Sequence, residues 1–221
     1  MVAKELISEK LPFLKPTDTV GLAIGYMGSF KVNHLPVVSN MEYLGTVSDI
    51  SLLEQSDQGS QLEESNLTLF NPSVGIDQHI FEILGVASTY NLSVIPVVDE
   101  NNRFKGSILR DDLIKSFAQT SSISERGGII ILSINPIDYS LSQIAQIVES
   151  NNVRVLSVYI TSPPNSSMME VTLKVNTTEL SSVIRTFERC GYDVKMWITS
   201  DKTIDQFYSE RFDMLMKYLN I

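Results

Sequence analysis

The fold is decided by residues 33–38, which read Asn-His-Leu-Pro-Val-Val, because the chain repeats this stretch. Residues 93–98, sixty positions later, read Ser-Val-Ile-Pro-Val-Val. Each copy is a short apolar run that contains a proline near its start, as is typical of a buried strand near a sheet edge. The duplication predicts two similar halves of the fold, with a cleft between them.

The segments around the two strands also match position by position. The helical pattern before each strand places its apolar residues at i, i+3, i+4 and i+7, so they share one helix face. The turn after the second copy is one residue longer, so Gly106 matches Gly45 at an offset of sixty-one. We therefore predict two successive β-α-β-β-α units. The matched helix positions are Val20 and Ile80, Ala23 and Ile83, Ile24 and Leu84, and Met27 and Ala87.

Composition and charge exclude several classes of function. The formal net charge of the 221-residue chain is −9, and an acidic surface repels phosphate groups, so we expect neither nucleic acid nor a membrane as a partner. The single cysteine excludes an internal disulfide and a cysteine-based metal cluster, and His34 and His79 do not lie at metal-ligand spacing. No apolar run approaches the roughly 18 residues of a membrane span, and the N-terminus does not resemble a signal peptide. We therefore expect a cytoplasmic protein without a metal site.

The second half of the chain follows a different pattern. Residues 129–134 form an apolar run that predicts a buried strand, and further helical and alternating segments follow it. The predicted order is β-α-β-β-α-β, the ferredoxin-like split pattern. Polar stretches at 55–66 and 118–128 read as linkers. The predicted domains are 1–66, 67–126, 127–200 and an amphipathic C-terminal helix at 201–221.

The tandem unit resembles a pair of CBS domains, named after cystathionine β-synthase. The third unit resembles an ACT domain in its order of strands and helices. A CBS pair followed by an ACT domain is similar to the arrangement in acetoin-utilisation-type regulatory proteins of bacteria. The expected fold class is α+β: a CBS pair, a ferredoxin-like ACT-type domain and a C-terminal helix. The residues that carry the CBS resemblance are 35–38 with 45–48 in the first copy, and 95–98 with 106–109 and Asp112-Leu113 in the second.

The CBS resemblance implies an adenosine-type ligand in the inter-repeat cleft, either an adenine nucleotide (AMP, ADP or ATP) or S-adenosylmethionine. In nucleotide-binding members a hydroxyl residue and an aspartate three positions later hydrogen-bond the ribose or phosphate, and the backbone beside the proline-containing strand lines the base. Arg110 could add a charge-assisted hydrogen bond to a phosphate; the alternative is a solvated cation at a helix start. The candidate ligand-binding residues are His34, Leu35, Pro36, Ser48, Ser51, Val94, Ile95, Pro96, Arg110 and Asp112.

The chain departs from the family patterns at several positions. In the first repeat Ser51 stands in place of the aspartate, and in the second Leu109 stands in place of the hydroxyl residue, so Ser48 and Asp112 are the surviving halves of two different pairs. In ACT domains that bind amino acids a glycine usually follows the first strand, whereas this chain has Tyr139 and Ser140 there. An amino-acid effector and plain helix capping by Asp138 or Ser140 both stay open.

We interpret the chain as a non-catalytic, ligand-sensing regulatory protein, with the ACT-like unit as a second sensing or dimerising module. A homodimer and a small-molecule effector are the expected partners. The alternative is a structural interaction module without a small-molecule ligand. An enzyme is the third hypothesis, and neither a G-x-S-x-G elbow nor a Walker-type lysine loop occurs in the sequence.

Overall fold

The computed structural model describes residues 1–8, 10–65, 67–120, 122–164 and 166–199. The chain divides into two compact units, Met1–Phe117 and Ala118–Ile221. Within the described ranges, no helix is both long enough and apolar enough to cross a membrane. The C-terminal helix that the sequence predicts at 201–221 lies outside the described residues.

The first unit contains the two predicted repeats. We call α1, β1, β2 and α2 repeat 1, and α3, β4, β5 and α4 repeat 2; the short strand β3 precedes α3, and a 3-10 helix spans Ala3–Glu5. The elements are α1 Val20–Phe30, β1 His34–Ser39, β2 Glu42–Ser48, α2 Asp49–Leu53, β3 Val74–Gly75, α3 Ile80–Thr89, β4 Val94–Val98, β5 Phe104–Leu109 and α4 Arg110–Thr120.

The strand register confirms the duplication. Strands β1 and β2 pair antiparallel with Val37 opposite Gly45, and β4 and β5 pair antiparallel with Val97 opposite Gly106. The register shifts by one residue immediately after both pairs. Gly45 and Gly106 have φ values of 146° and 143°, a region that only glycine adopts readily. Both repeats therefore have the same bulged hairpin, and the longer second turn accounts for the change in offset.

Each repeat also receives backbone hydrogen bonds from the segment that precedes the other one. The Ser8 N–H donates to the Ser107 carbonyl at 2.9 Å, so the N-terminal segment pairs with β5 of repeat 2. The Thr46 N–H donates to the Phe70 carbonyl at 2.8 Å, so the segment before repeat 2 pairs with β2 of repeat 1. This exchange ties the two repeats into one unit.

The polar stretch at 55–66, predicted to be a linker, is part of the packed structure where it is described. The N–H groups of Val20 and Gly21 at the start of α1 donate to the carbonyls of Ser60 and Gln58, at 3.1 and 2.8 Å. Leu62 is 6% exposed and joins the core of repeat 1. The sequence could not predict these contacts, because most of them are made by the backbone of the stretch.

A small apolar cluster lies where the two repeats meet. Its members are Val38 and Tyr43 of repeat 1 and Val98 and Phe104 of repeat 2, all buried. The hairpin turns also exchange backbone hydrogen bonds across this boundary, from the Tyr43 N–H to the Asn102 carbonyl at 3.1 Å and from the Phe104 N–H to the Met41 carbonyl at 2.7 Å. We call this boundary the repeat seam.

The second unit has the predicted ferredoxin-like topology. Its elements are β6 Gly128–Ile134, α5 Leu141–Ser150, β7 Val155–Thr161, β8 Met169–Val175, α6 Ser181–Arg189 and β9 Asp193–Thr199. The sheet order is β7-β8-β6-β9, with antiparallel neighbours throughout. Alternate residues of β6 and β8, such as Leu132 and Leu173, are fully buried and pack with residues of α5 and α6, such as Ile144 and Phe187, in a single core. The α+β fold class is confirmed.

The two repeats differ at one buried polar group. In repeat 1 the Tyr43 hydroxyl lies 2.8 Å from Thr46 Oγ1 and donates to the Pro72 carbonyl at 2.9 Å, and burial raises the pKa of Tyr43 to about 12. In repeat 2 the matching positions are Phe104 and Ser107, so the phenol hydroxyl is missing. Ser107 is 2% exposed, and its Oγ has no hydrogen-bond partner.

We predict that Tyr43→Phe lowers the free energy of unfolding by about 1–2 kcal/mol, because Thr46 Oγ1 and the Pro72 carbonyl lose a buried partner. Phe104→Tyr should raise it by about 1 kcal/mol, since the new hydroxyl gives Ser107 a partner. Urea unfolding measures both changes. In a Ser107→Ala background Phe104→Tyr should give no gain, and an equal gain there would contradict this explanation.

Candidate ligand site at the repeat seam

The first strands of the two hairpins, β1 and β4, meet at their N-terminal ends, at one end of the seam. The Asn33 N–H donates to Ser93 Oγ at 2.8 Å, and the Ser93 N–H faces His34 Nδ1 at 3.3 Å. The His34 ring is half-buried and packs edge-on against Phe70, with ring centroids 5.8 Å apart. Side chains and backbone of both repeats therefore converge on His34.

Two helices begin at the same place. The Asp49 N–H, at the start of α2, donates to the Asn33 carbonyl at 2.9 Å, and the Arg110 N–H, at the start of α4, donates to the Ser93 carbonyl at 3.0 Å. Burial lowers the pKa of His34; the Asp49 charge raises this pKa, and the Arg110 charge lowers it further. The junction thus holds a half-buried imidazole with an anion from repeat 1 and a cation from repeat 2 close enough to influence it.

Of the predicted site residues, His34 and Arg110 lie at this junction, and both are half-buried. The Arg110 side chain reaches Asn91 Oδ1 at 3.5 Å. No carboxylate pairs with Arg110 among the ion pairs of the described residues. The predicted strand residues are buried in the interior of the unit, so they can offer a ligand little more than backbone groups; they are Leu35, Pro36, Val94, Ile95 and Pro96.

The predicted ribose-binding residues have structural partners of their own. Ser48 caps α2, because its Oγ accepts the Ser51 N–H at 3.2 Å, and Ser51 Oγ donates back to the Ser48 carbonyl at 2.9 Å. Asp112 forms an ion pair with Lys115 at 3.1 Å. These contacts give Ser48, Ser51 and Asp112 a structural role that needs no ligand. Their roles in ligand binding stay predictions.

Three residues of the junction were not predicted as site residues. Asn33, Asp49 and Ser93 all lie within or beside the repeated motifs, and Asn33 and Ser93 occupy matching positions. Their contacts link strand starts to helix starts, and two of those contacts cross from one repeat to the other. Equal spacing of two polar residues directly before the duplicated strands was the signal that could have identified Asn33 and Ser93.

The second unit has a cavity of about 370 Å³ beside the end of β6. The Ser140 Oγ accepts the Gln143 N–H at 3.4 Å, which is the capping role considered for it, and the Tyr192 hydroxyl donates to Gln143 Oε1 at 3.2 Å. Across the described residues of both units, no group of three or more histidine, cysteine, aspartate or glutamate side chains could hold a metal ion. The lining of the cavity in the second unit is mostly polar and consists of Ser133, Ile134, Asn135, Asp138, Gln143, Met168, Cys190, Gly191, Tyr192 and Asp193.

The sequence model of the CBS domain matches the chain twice, at residues 3–57 and 70–119. Inosine-5'-monophosphate dehydrogenase of Methanocaldococcus jannaschii is 24% identical over 132 residues, which are 59% of this chain and 26% of that enzyme. The chain therefore spans about a quarter of the length of this curated relative.

Two solved structures are similar over about half of the chain. A CBS domain pair/ACT domain protein from Thermotoga maritima is 22% identical, with 54% of this chain and 98% of that chain covered and a TM-score of 0.49. The CBS domain pair of a protein solved in complex with 5'-methylthioadenosine and S-adenosyl-L-methionine is 21% identical, with 54% and 97% covered and a TM-score of 0.44.

We predict that His34 makes the first unit less stable in mild acid. Its pKa in the folded chain lies below the ordinary 6.5, so only the unfolded state takes up the proton as the pH falls below 6.5. The loss of stability begins there and is complete below the folded pKa. The free energy of unfolding, measured with urea, should change less between pH 7.5 and pH 5.5 for His34→Gln than for the unchanged chain. His79→Gln is the control; if it reduced the difference instead, the assignment to His34 would be wrong.

Proposed function

The first half of this chain belongs to the CBS domain family as a tandem pair, and from this we propose that the chain is a non-catalytic sensor of an adenosine-type nucleotide. The proposed site is the junction of the two repeats around His34 and Arg110. The observation that carries the proposal is Arg110, a half-buried residue at the seam whose guanidinium has no carboxylate partner among the described residues. Such a cation can form strong hydrogen bonds with a phosphate.

The partners of the other candidate residues favour a ligand held mainly by its phosphate. Ser48 and Ser51 hydrogen-bond each other, and Asp112 is paired with Lys115, so the groups for a ribose diol are already engaged. The buried strands leave backbone groups and the apolar ring of Phe70 for a base. We therefore propose that a phosphate group, more than the ribose, determines affinity.

The proposed mechanism is a shift between two arrangements of the repeats. A ligand that contacts both His34 of repeat 1 and Arg110 of repeat 2 binds best when the seam is closed, and it shifts the population toward that arrangement. The shift requires a difference in affinity between the two arrangements, and contacts on both sides of the seam supply one. A nucleotide bound to one repeat alone would have no such effect.

We expect AMP to raise the melting temperature more than adenosine does, because only AMP can pair with Arg110. Thermal shift and calorimetric titration should be run with AMP, ADP, ATP, S-adenosylmethionine and adenosine. Arg110→Ala should remove the advantage of AMP over adenosine, whereas Arg103→Ala, which changes an exposed arginine of the same repeat, should retain it. A flat response to the whole panel would instead favour the alternative function, a structural interaction module without a ligand.

We also propose that the chain pairs with a second copy through its repeat helices. Exposed apolar side chains occur at matching positions of the two repeats: Leu53 and Ile114 are 66% and 55% exposed, and Phe30 and Tyr90 are 40% and 53% exposed. An isologous dimer brings the same surface of two copies together, and burial of these exposed apolar side chains would stabilise it. The charge of −9 disfavours nucleic acid or an anionic membrane as the occupant of this patch.

The double variant Leu53→Lys, Ile114→Lys should convert a dimer into a monomer, since two copies would bring four buried ammonium groups into one interface. Light scattering coupled to size-exclusion chromatography measures the mass. Leu44→Lys, on strand β2 and 36% exposed, is the control and should stay dimeric. A dimer that persists in the double variant would exclude this helix face as the interface.

For the ferredoxin-like unit we propose a second sensing role. The support is its polar cavity, which carries the Asp138 and Asp193 side chains and the amides of Asn135 and Gln143. These groups suit a small ligand with several hydrogen-bond donors. Loss of a ligand-induced thermal shift in Asp193→Asn would assign a ligand to this cavity, and an unchanged shift would leave the unit with the dimerising role alone.

A further inference from the structure

We propose that repeat 1 carries a separate binding site for a free apolar amino acid, at the opposite end of β1 from the seam junction. The site is a cavity of about 420 Å³ between the segment that precedes α1 and the β1–β2 turn. Cavities of 300–1,000 Å³ commonly hold small molecules. None of the residues proposed to bind the nucleotide lines this cavity.

Two opposite charges line this cavity. Lys15 and Glu63 are both exposed, and neither forms an ion pair with any described residue. Their backbones are fixed, because the Lys15 N–H donates to Asp18 Oδ2 at 2.7 Å and the Glu63 N–H donates to the Pro16 carbonyl at 3.0 Å. The cavity therefore offers one ammonium and one carboxylate on an ordered frame.

The remaining wall of the cavity is largely apolar. Val38, Phe13 and Met41 all line the cavity. Val38 is 3% exposed, whereas Phe13 and Met41 are 41% and 60% exposed. Phe13 is held by edge-on packing against Phe104, with ring centroids 5.6 Å apart. An apolar group that entered here would bury these exposed side chains together with its own surface.

The β1–β2 turn consists of Asn40 and Met41, whose φ values of 50° and 69° are those that a two-residue hairpin turn requires. The left-handed conformation of Met41 is unfavourable for a residue that carries a side chain. The matching position of repeat 2 is Asn102, with a φ of 58°, and asparagine tolerates this conformation well. Repeat 1 thus has a less suitable residue at this turn position, and the apolar side chain of that residue lines the cavity.

These features together define the class of ligand. Lys15 can pair with a carboxylate, Glu63 can pair with an ammonium, and Phe13 and Met41 can cover an apolar side chain. A free amino acid such as leucine or methionine has all three groups in one small molecule. A nucleotide does not fit this pattern, because Glu63 would repel its phosphate.

The test is a titration of the full chain followed by NMR or calorimetry, with L-leucine, N-acetyl-L-leucine and L-leucinamide as probes. L-leucine should bind, whereas each derivative, which lacks one of the two charges, should bind more weakly. Lys15→Met and Glu63→Gln should each weaken leucine binding roughly two- to fivefold, the range expected for an exposed ion pair. Lys31→Met, which removes another exposed lysine of repeat 1, should leave binding unchanged.

Met41→Asn provides a second, independent test. It should raise the melting temperature, because asparagine relieves the backbone strain, and it should weaken leucine binding, because the apolar wall is lost. Three results would overturn the inference: no saturable leucine binding, equal binding of all three probes, or a response that is lost in Asp193→Asn of the second unit and kept in Lys15→Met. None of these results depends on whether AMP binds at the seam.

Discussion

The first unit depends on hydrogen bonds and apolar contacts that neither repeat can make alone. Each hairpin packs against a helix of its own repeat, β1 against α1 and β4 against α3. The two hairpins become a stable unit because their turns exchange backbone hydrogen bonds and because Tyr43 and Phe104 pack in one apolar cluster. The exchanged segments around Ser8 and Phe70 add to this by pairing each hairpin with chain from outside its own repeat. The seam is therefore part of the fold, and a ligand bound at the proposed site would act on the fold itself.

The backbone of this unit is nearly twofold symmetric, but its side chains are not. His34 of repeat 1 corresponds to Val94 of repeat 2, Ser48 to Leu109, and Met41 to Asn102. The symmetric positions are the buried strand residues and the bulge glycines, which serve packing and backbone geometry. The asymmetric positions lie at the two ends of the hairpins, where both proposed sites are found. A duplication that kept the core and diverged at the ends of the hairpins can bind different ligands at those two ends.

Most of the fold could be predicted from the sequence, and the reason is periodicity. The repeated proline-containing strands and the helix faces of α1 and α3 are local patterns, and the ferredoxin-like order of the second unit follows from the same kind of signal. Contacts made by the backbone across the chain could not be predicted, such as those that fix Gln58 and Ser60 at the start of α1. His34 and Arg110, which were predicted as site residues, lie at the junction, and their role in binding stays a prediction; Ser93 was not predicted, because its partners lie about sixty residues away in sequence.

The charges around His34 link protonation to ligand binding. Burial lowers the pKa of His34, the Asp49 charge raises it and the Arg110 charge lowers it, so the protonation of His34 depends on charges from both repeats. A phosphate bound at Arg110 would offset the cation and remove its repulsion of a protonated imidazole, which raises the pKa of His34. Because linkage is reciprocal, protonation of His34 must strengthen the binding of that phosphate by the same factor. Since the His34 ring packs on Phe70 and contacts Ser93 across the seam, this coupling acts on the contact that joins the two repeats.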